Sequence, residues 1–381
     1  MTAGAEGAGG RLSDQERLDW LRLIRSENVG PVTFFDLLER YGSAAKALEA
    51  LPELAERGGR RKPLRIRAPR DAEREIATAQ KRSRARLVAL GEPEYPARLG
   101  LIPMPPPLIY MAGDPALARK QVIAIVGSRN ASAAGRKLTQ EIARGVSAEG
   151  IAVVSGLARG IDASAHQGSL DGGTIAVLAG GIDIRYPPEN ETLHDAIAGK
   201  GLLIAESAPG FKPRGVDFPR RNRIISGMAS GVLVVEAARR SGSMVTARHA
   251  AEQGRDVMAV PGHPLDPRAE GPNTLLKDGA ALIRDTADVL EALHAAEIFT
   301  EPQPEPGFSE PEAAPFDLDD HARQQVIEAL SPVPIETDEL IRMTGLSARA
   351  VAVVLMELEL AGRITREGRR SVALADYESG M

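Results

Sequence analysis

The chain contains no cysteine. That excludes a disulfide framework, a thiolate metal site and a cysteine nucleophile. Aromatic residues make up only 3% of its 381 positions, so any place where they gather stands apart. No run of about 18 consecutive apolar residues occurs, which argues against a membrane-spanning helix. The opening "MTAGAEGAGG" lacks the basic and apolar regions of a secretory signal and reads as a loose tail. A cytoplasmic protein is the expectation. Glycine loops of the common nucleotide sites are missing too: neither a Gly-x-Gly-x-x-Gly turn nor a Walker A Lys-Ser/Thr follows any apolar run, so NAD, FAD and ATP sites are disfavoured and no cofactor is expected.

What is there suits a chain of two or three domains, since 381 residues exceed one ordinary compact unit and a 43% apolar fraction can build real cores. Charge is uneven. From Ile298 to the end there are 16 acidic and 7 basic residues, net −9, against 36 acidic and 40 basic before that point, net +4. The front of the chain therefore tolerates an anionic partner better than the back.

Five zones follow from periodicity and punctuation. Residues 12–56 are helical: Ser13 with Glu16 makes a capping box, and "VTFFDLLERYG" is a second helix stopped at Gly42, after the manner of sterile-alpha-motif or helix-hairpin-helix modules. Residues 57–91 carry "GGRRKPLRIRAPR" and "KRSRAR" and read as a solvated, loop-rich basic linker, with an auxiliary phosphate contact as the sharper alternative. Residues 92–297 alternate apolar runs ("VIAIV", "IAVVS", "TIAVLA", "LLIAE", "VLVVEA", "DVMAVPG", "ALIR") with amphipathic stretches. That pattern predicts an α/β, doubly wound, Rossmann-like domain whose parallel sheet is covered on both faces. Residues 298–316 form a Pro/Glu linker. Over 317–376, three helical segments and the hairpin "TREGRRSVALAD" predict a winged helix-turn-helix.

Open α/β sheets bind ligands outside the carboxyl ends of their strands. After the first apolar run of the α/β domain comes "GSRNASAAG", where Ser128 and Arg129 can meet an anion at the next helix's positive N-terminus. "SGLARGIDASAH" places Asp162 four residues before His166, a spacing open to acid–base use, although an aspartate more often caps a helix. "RRSGSMVTAR" offers Ser241, Gly242 and Ser243 at another helix start. "PGHPLDPRAEGPNTLL", with Asn273, is a further strand-end loop. The densest signal is "GFKPRGVDFPRRNRIISG": Lys212, Arg214, Arg220, Arg221 and Arg223 stand with one acid, Asp217, and surround Phe218 and Asn222. Several cations suit a chain of phosphates, and a phenylalanine among them offers an unpaired base a flat face. Single-stranded nucleic acid fits that loop best. The bland alternative is that Phe218 fills a small core and some arginines pair with Asp217 or Glu236.

In "AIVGSRNASAAG", "SGLARGIDASAH", "GGTIAVLAGGIDIRYPPEN", "FPRRNRIISGMASGVLVVEA", "RSGSMVTARHAAEQGR" and "AVPG", taken in order, the chain closely resembles the DNA-processing protein A family, also called Smf. The resemblance covers roughly Glu92 to Leu293. It implies a non-enzymatic protein that binds incoming single-stranded DNA in natural transformation, dimerises and helps load the RecA recombinase. It also implies that Ser128 and Arg129 hold phosphate and that Lys212 to Arg223 form a basic, aromatic DNA-binding loop. Lysine-decarboxylase-like phosphoribohydrolases share the layout, but their "PGGxGTxxE" signature is missing where "RRSGSMVTAR" stands. A duplex-reading winged helix is a third possibility; its recognition segment "SARAVAVVLMELELAG" holds one basic residue, Arg349, against Glu357 and Glu359, which suits protein contact or interdomain packing better than duplex phosphates.

Overall fold

The computed structural model describes residues 10–298, 320–367 and 371–375, and the chain forms two compact units, Met1–Glu73 with Pro304–Met381 and Arg74–Gln303. The Pro/Glu linker expected over 298–316 lies outside the described residues, apart from Ile298.

The chain begins with α1 (Asp14–Ile24), α2 (Pro31–Tyr41) and α3 (Ala44–Arg57). The capping box forms as expected. Ser13 Oγ accepts from the Glu16 N–H at 3.2 Å, and the Ser13 N–H donates to the Glu16 carboxylate at 2.8 Å. Gly42 ends α2 with φ 74, a left-handed conformation that a side chain would oppose. Leu23, Phe34, Leu37, Leu48 and Leu51 meet in the core of this bundle.

The basic stretch departs from its expected form. Residues 69–83 are a helix, α4 (Pro69–Ser83), and residues 86–89 a strand, β1 (Arg86–Ala89). Pro69 opens α4, Asp71 lies in its first turn and Lys81 and Arg82 in its last, in line with the helix dipole. Ala72, Glu75 and Ala79 make a narrow buried stripe. Charge on the outer faces hid that stripe from a reading by composition.

In the α/β unit the elements after β1 are α5 (Ala97–Gly100), β2 (Leu108–Gly113), β3 (Val122–Val126), α6 (Ala133–Ala148), β4 (Ala152–Ser155), α7 (Ile161–Ser169), β5 (Thr174–Gly181), α8 (Glu191–Lys200), β6 (Leu202–Ser207), α9 (Asp217–Met228), β7 (Gly231–Val234), α10 (Gly242–Glu252), β8 (Asp256–Ala259), α11 (Glu270–Lys277), β9 (Ala281–Leu282) and α12 (Thr286–Ile298). All seven apolar runs are strands. Among the described residues they form, with β1 and β2, a nine-stranded sheet in the order β1-β2-β6-β5-β4-β3-β7-β8-β9. Strands β3 to β9 pair in parallel; β1 and β2 add an antiparallel edge beside β6. Strand β3 shows why both faces are covered: Val122, Ala124 and Val126 enter one core, Ile123 and Ile125 the other. The chain builds outward from β3 to β6 and returns at β7, so the topological switch lies between β3 and β7.

The winged helix follows as α13 (Asp320–Ala329), β10 (Ile335–Glu336), α14 (Thr337–Thr344), α15 (Ala348–Leu360), β11 (Ile364–Glu367) and β12 (Ser371–Leu374). It shares a compact unit with the N-terminal helices. Met356 and Leu360 of α15, the recognition helix by position, are buried in the same cluster as Leu23 and Phe34. Thr33 Oγ1 donates to the Glu359 carboxylate at 2.7 Å, and Asn28 Nδ2 to the Leu360 carbonyl at 3.1 Å. The carboxyl-terminal half of α15 thus packs inside the unit, as its composition suggested.

Candidate functional site

The crevice where an open α/β sheet usually takes its ligand is closed by the chain's own carboxylate. Glu236, just past β7, accepts from the Ser132 N–H at 2.9 Å and from Ser132 Oγ at 2.5 Å, at the N-terminus of α6. Ser132 Oγ in turn accepts from the Gly135 N–H at 2.9 Å. A Cβ on Gly135 would stand 2.6 Å from Glu236 Oε1, so the glycine is what lets the carboxylate seat. Ser128 is drawn into the same closure: its N–H donates to the Glu236 carbonyl at 2.6 Å, and its Oγ accepts from the Asn130 N–H at 3.1 Å. The expected anion site at the N-terminus of α6 is therefore occupied from within, because an internal carboxylate satisfies the same orphan N–H groups that a phosphate would.

Near two neighbouring helix starts a carboxylate instead ties down the loop that precedes the helix. Asp162 accepts from the Gly156 and Ala158 N–H groups at 3.2 and 3.3 Å, and Asp217 accepts from the Arg214 N–H at 2.8 Å at the start of α9. Helix α10 differs. Its N-cap residue Ser241 makes no side-chain capping bond, and its Oγ is enclosed without a hydrogen-bond partner among the described residues. Gly242 is exposed, Ser243 is buried, and Arg239 and Arg240 are exposed immediately before the helix.

A cavity of ≈ 240 Å³ opens over the carboxyl ends of β4 and β5. Leu157, Leu178, Ile184, Pro187, Pro213 and Phe218 supply its apolar wall, while Arg129, Arg159 and Glu189 also line it. The guanidinium of Arg129 lies 5.2 Å from the centroid of the Phe218 ring, a cation–π distance. On the same ring, Tyr186 approaches to 5.5 Å at an interplanar angle of 43°. Tyr186 and Arg159 are site residues that the sequence reading passed over; Glu236, offered there as a partner for the arginines, seats on Ser132 instead. The only sequence signal for Tyr186 was an aromatic inside the Gly/Pro-rich loop "GGIDIRYPPEN", in a chain that uses few.

The basic loop divides into two groups. Lys212, Arg214 and Arg220 are exposed; Lys212 and Arg220 make no salt bridge among the described residues, and Arg214 reaches Asp217 at 3.5 Å. Arg221 and Arg223 turn inward, contrary to the expectation that all five cations face a strand. Arg221 donates to the carbonyls of Gly156, at 2.8 Å, and Val177, and to Asn222 Oδ1 at 3.2 Å. Burial lowers its basicity to about 10, opposed by the nearby Asp162 carboxylate. It is a brace across the strand ends that forms part of the cavity lining. Arg223 Nη2 donates to both Glu206 carboxylate oxygens, at 2.6 and 2.7 Å, and its Nη1 donates to the Met104 carbonyl at 2.7 Å. Arg220 and Arg223 differ because Glu206, distant in sequence, holds only the second of them.

Both asparagines are also structural in their visible contacts. Asn222 Nδ2 donates to the Gly242 carbonyl at 3.1 Å, tying α9 to the start of α10. Asn273 holds the loop after β8 through the Gly262 N–H and carbonyl, at 3.1 and 2.9 Å. Asp162 and His166 do not form an acid–base pair. His166 is buried with Nδ1 2.7 Å from Thr174 Oγ1, and burial, with Arg221 adding to it, pushes its imidazole down to about 3. Burial raises the Asp162 carboxyl, against the opposing pull of Arg221 and two N–H groups. Among the described residues no group of three or more His, Asp or Glu side chains could hold a metal ion.

The chain as a whole is similar to known proteins. A family model described as DNA recombination-mediator protein A matches residues 86–294, one for the DprA-like N-terminal HHH domain matches 14–78, and one for the DprA winged helix domain matches 309–368. The chain is 31% identical to Protein Smf of Synechocystis sp. over 93% of its own length and 98% of that protein's. It is 42% identical to the DNA processing protein DprA of Bacillus subtilis over 56% of its own length and 74% of that protein's. The X-ray structure of DNA processing protein A from Streptococcus pneumoniae superposes with a TM-score of 0.60 at 32% identity, covering 74% of this chain and 98% of that one. A Helicobacter pylori DNA processing protein A structure, solved to describe a single-stranded DNA binding mode, gives a TM-score of 0.50 at 29% identity over 52% and 93% of the two chains.

Proposed function

Because the chain belongs to the DNA recombination-mediator protein A family, we propose that it binds single-stranded DNA along the carboxyl edge of its sheet and acts on that strand without turning it over chemically. The observation that carries this reading is the cavity, apolar and aromatic inside, with Arg129 and Arg159 among its lining residues. Lys212, exposed in the loop after β6, and Arg220, exposed in the first turn of α9 near Phe218, add charge with no salt bridge among the described residues. A base fits the first environment and a phosphate chain the second. The start of α10, with Gly242 exposed and Ser241 Oγ enclosed without a hydrogen-bond partner among the described residues, offers a further phosphate contact.

The family resemblance supports the finer role: the strand is DNA entering in natural transformation, and it is handed to the RecA recombinase by a dimer. Two copies would align two cationic edges on one strand, which raises affinity through effective concentration. Sedimentation at micromolar protein should then give a dimer whose DNA affinity falls on dilution.

Absence of turnover is supported by what the titratable groups are doing. Asp162 is committed to backbone N–H groups and His166 to Thr174. Nucleoside-monophosphate cleavage or ATP hydrolysis by pure protein, abolished by a change at Asp162 or Glu206, would overturn it.

The deciding experiment is affinity for single-stranded and duplex oligonucleotides across a salt series. Single strands should bind more tightly, with little sequence preference, and log affinity should fall with log salt at about 0.7 per phosphate neutralised. Equal affinity for duplex, or indifference to salt, would sink the reading.

A further inference from the structure

We infer that the end of α4 carries an outlying phosphate contact for the bound strand, made by Lys81 and Arg84. This rests on the single-stranded DNA reading above and extends it to a basic segment away from the strand ends.

The first observation is one of position. Arg82, in the last turn of α4, donates through Nη1 to the Asp183 carboxylate at 2.8 Å. The other oxygen of that carboxylate accepts from the Gly210 N–H at 2.7 Å. Asp183 stands in the loop after β5 and Gly210 in the loop after β6, and Ile184 and Pro213 of those same loops line the cavity. One carboxylate, only 6% exposed, therefore fastens the end of α4 to both loops of the cavity's rim. Lys81 and Arg84 flank Arg82 along the chain, so both lie within about one helical turn of that junction. Both are exposed, and neither makes a salt bridge among the described residues. Lys212, just beyond Gly210, is exposed as well. Cations on either side of the junction suit successive phosphates of one chain.

The second observation is one of strain. Arg84 has φ 52, the left-handed conformation in which a helix commonly ends on glycine. Its N–H donates to the Gln80 carbonyl at 2.9 Å, so the residue serves as the cap of α4. A glycine would make the same backbone bond without the crowding that a Cβ brings in this conformation. The arginine side chain gains nothing visible in return: its guanidinium makes no hydrogen bond and no salt bridge among the described residues. A conformational cost borne without an internal contact points to a contact with something outside the chain. A strand held at the rim supplies that contact as phosphate, because the Asp183 junction puts the arginine beside the loops that hold the strand.

The test uses full-length protein and oligothymidylates of about 4 to 16 nucleotides, the span of single-strand sites. Arg84→Gly relieves the left-handed strain and should melt at or above the wild-type temperature. It should nevertheless lower the slope of log affinity against log salt by about 0.7 on the longest oligomer. Lys81→Ala should lower it by the same amount, and the two changes together by about 1.4. On the shortest oligomer that binds, all three variants should match wild type, since the cavity and its rim suffice to hold it. Arg119→Ala with Arg144→Ala removes the same charge near the amino ends of β3 and β4 and should change the slope at no length. An unchanged slope in the Lys81 and Arg84 variants, a loss alike at every length, or an equal loss in the Arg119 and Arg144 control overturns the outlying contact and leaves the strand-binding reading standing. So does an Arg84→Gly protein that melts below wild type, for the arginine would then be a structural cap. If wild type itself shows no salt-dependent preference for single strands, the strand-binding reading has failed first.

Discussion

At the carboxyl edge of the sheet, Arg129, Lys212 and Arg220 reach solvent with no salt bridge among the described residues. In the winged helix the arginines behave differently. Arg323 pairs with Glu357 at 2.8 Å, the two side chains 14% and 1% exposed, and Arg366 pairs with Glu359 at 2.7 Å. A winged helix is by fold a DNA-reading module, and a Rossmann-like sheet is by fold a nucleotide-binding one. Here the first uses part of its recognition helix to pack against the N-terminal helices, and the second has closed its nucleotide crevice with Glu236. What each region can bind follows from where its charges and N–H groups are already satisfied, and the name of the fold does not settle it.

The largest effect that sharpens this contrast is on stability. Arg323→Ala should leave the Glu357 carboxylate buried beside a lost partner, which costs about 3–5 kcal/mol. Chemical denaturation should show that loss, while affinity for single-stranded DNA in native buffer stays at the wild-type value. A fall in affinity matching the fall in stability would break the comparison, for it would put the winged helix on the strand.

Phe218→Ala is the next in size and should act the other way. It should cost about 1–3 kcal/mol of DNA binding with the salt slope kept, while the half-buried ring contributes little to the melting temperature. A drop in melting temperature of several degrees with unchanged DNA affinity would make Phe218 a core residue.

A graded effect, smallest near neutral pH, concerns the α/β unit alone. His166 is neutral in the folded α/β unit because burial holds its imidazole down to about 3 from an ordinary 6.5. The unfolded chain therefore takes up the proton first. Stability from this group is intact above pH 6.5 and falls between about 6.5 and 3, by about 1.4 kcal/mol per pH unit. His166→Asn, which keeps a polar atom near Thr174, should flatten the pH dependence of unfolding across that window. An unchanged slope would mean that the imidazole is protonated in the native state.

Most of the architecture was legible in the sequence because it rests on local periodicity. The seven apolar runs became β3 to β9, and Ser13, Glu16 and Gly42 cap the helices they were expected to cap. Strands β1 and β2 were missed because an antiparallel edge lacks the helix-by-helix alternation that marked the others. Helix α4 was missed because its buried stripe is only alanine and one glutamate. At the site the limits were of another kind. Residue type located the loop around Phe218, but whether an arginine faces water depends on partners far away in sequence: Arg223 on Glu206, Arg221 on Gly156 and Val177. Glu236 could be offered to the arginines from sequence, but its seat on Ser132 depends on the fold that carries β7 beside β3.

The central claim, that the sheet edge and not the terminal unit holds the strand, is tested most directly by salt dependence in two matched triple variants. Arg129→Ala with Lys212→Ala and Arg220→Ala should lower the slope of log affinity against log salt by about 2, at about 0.7 per cation removed. Arg342→Ala with Arg349→Ala and Arg363→Ala removes the same charge from the winged helix and should leave the slope at its wild-type value. A slope that falls with the second triple and survives the first would contradict the account.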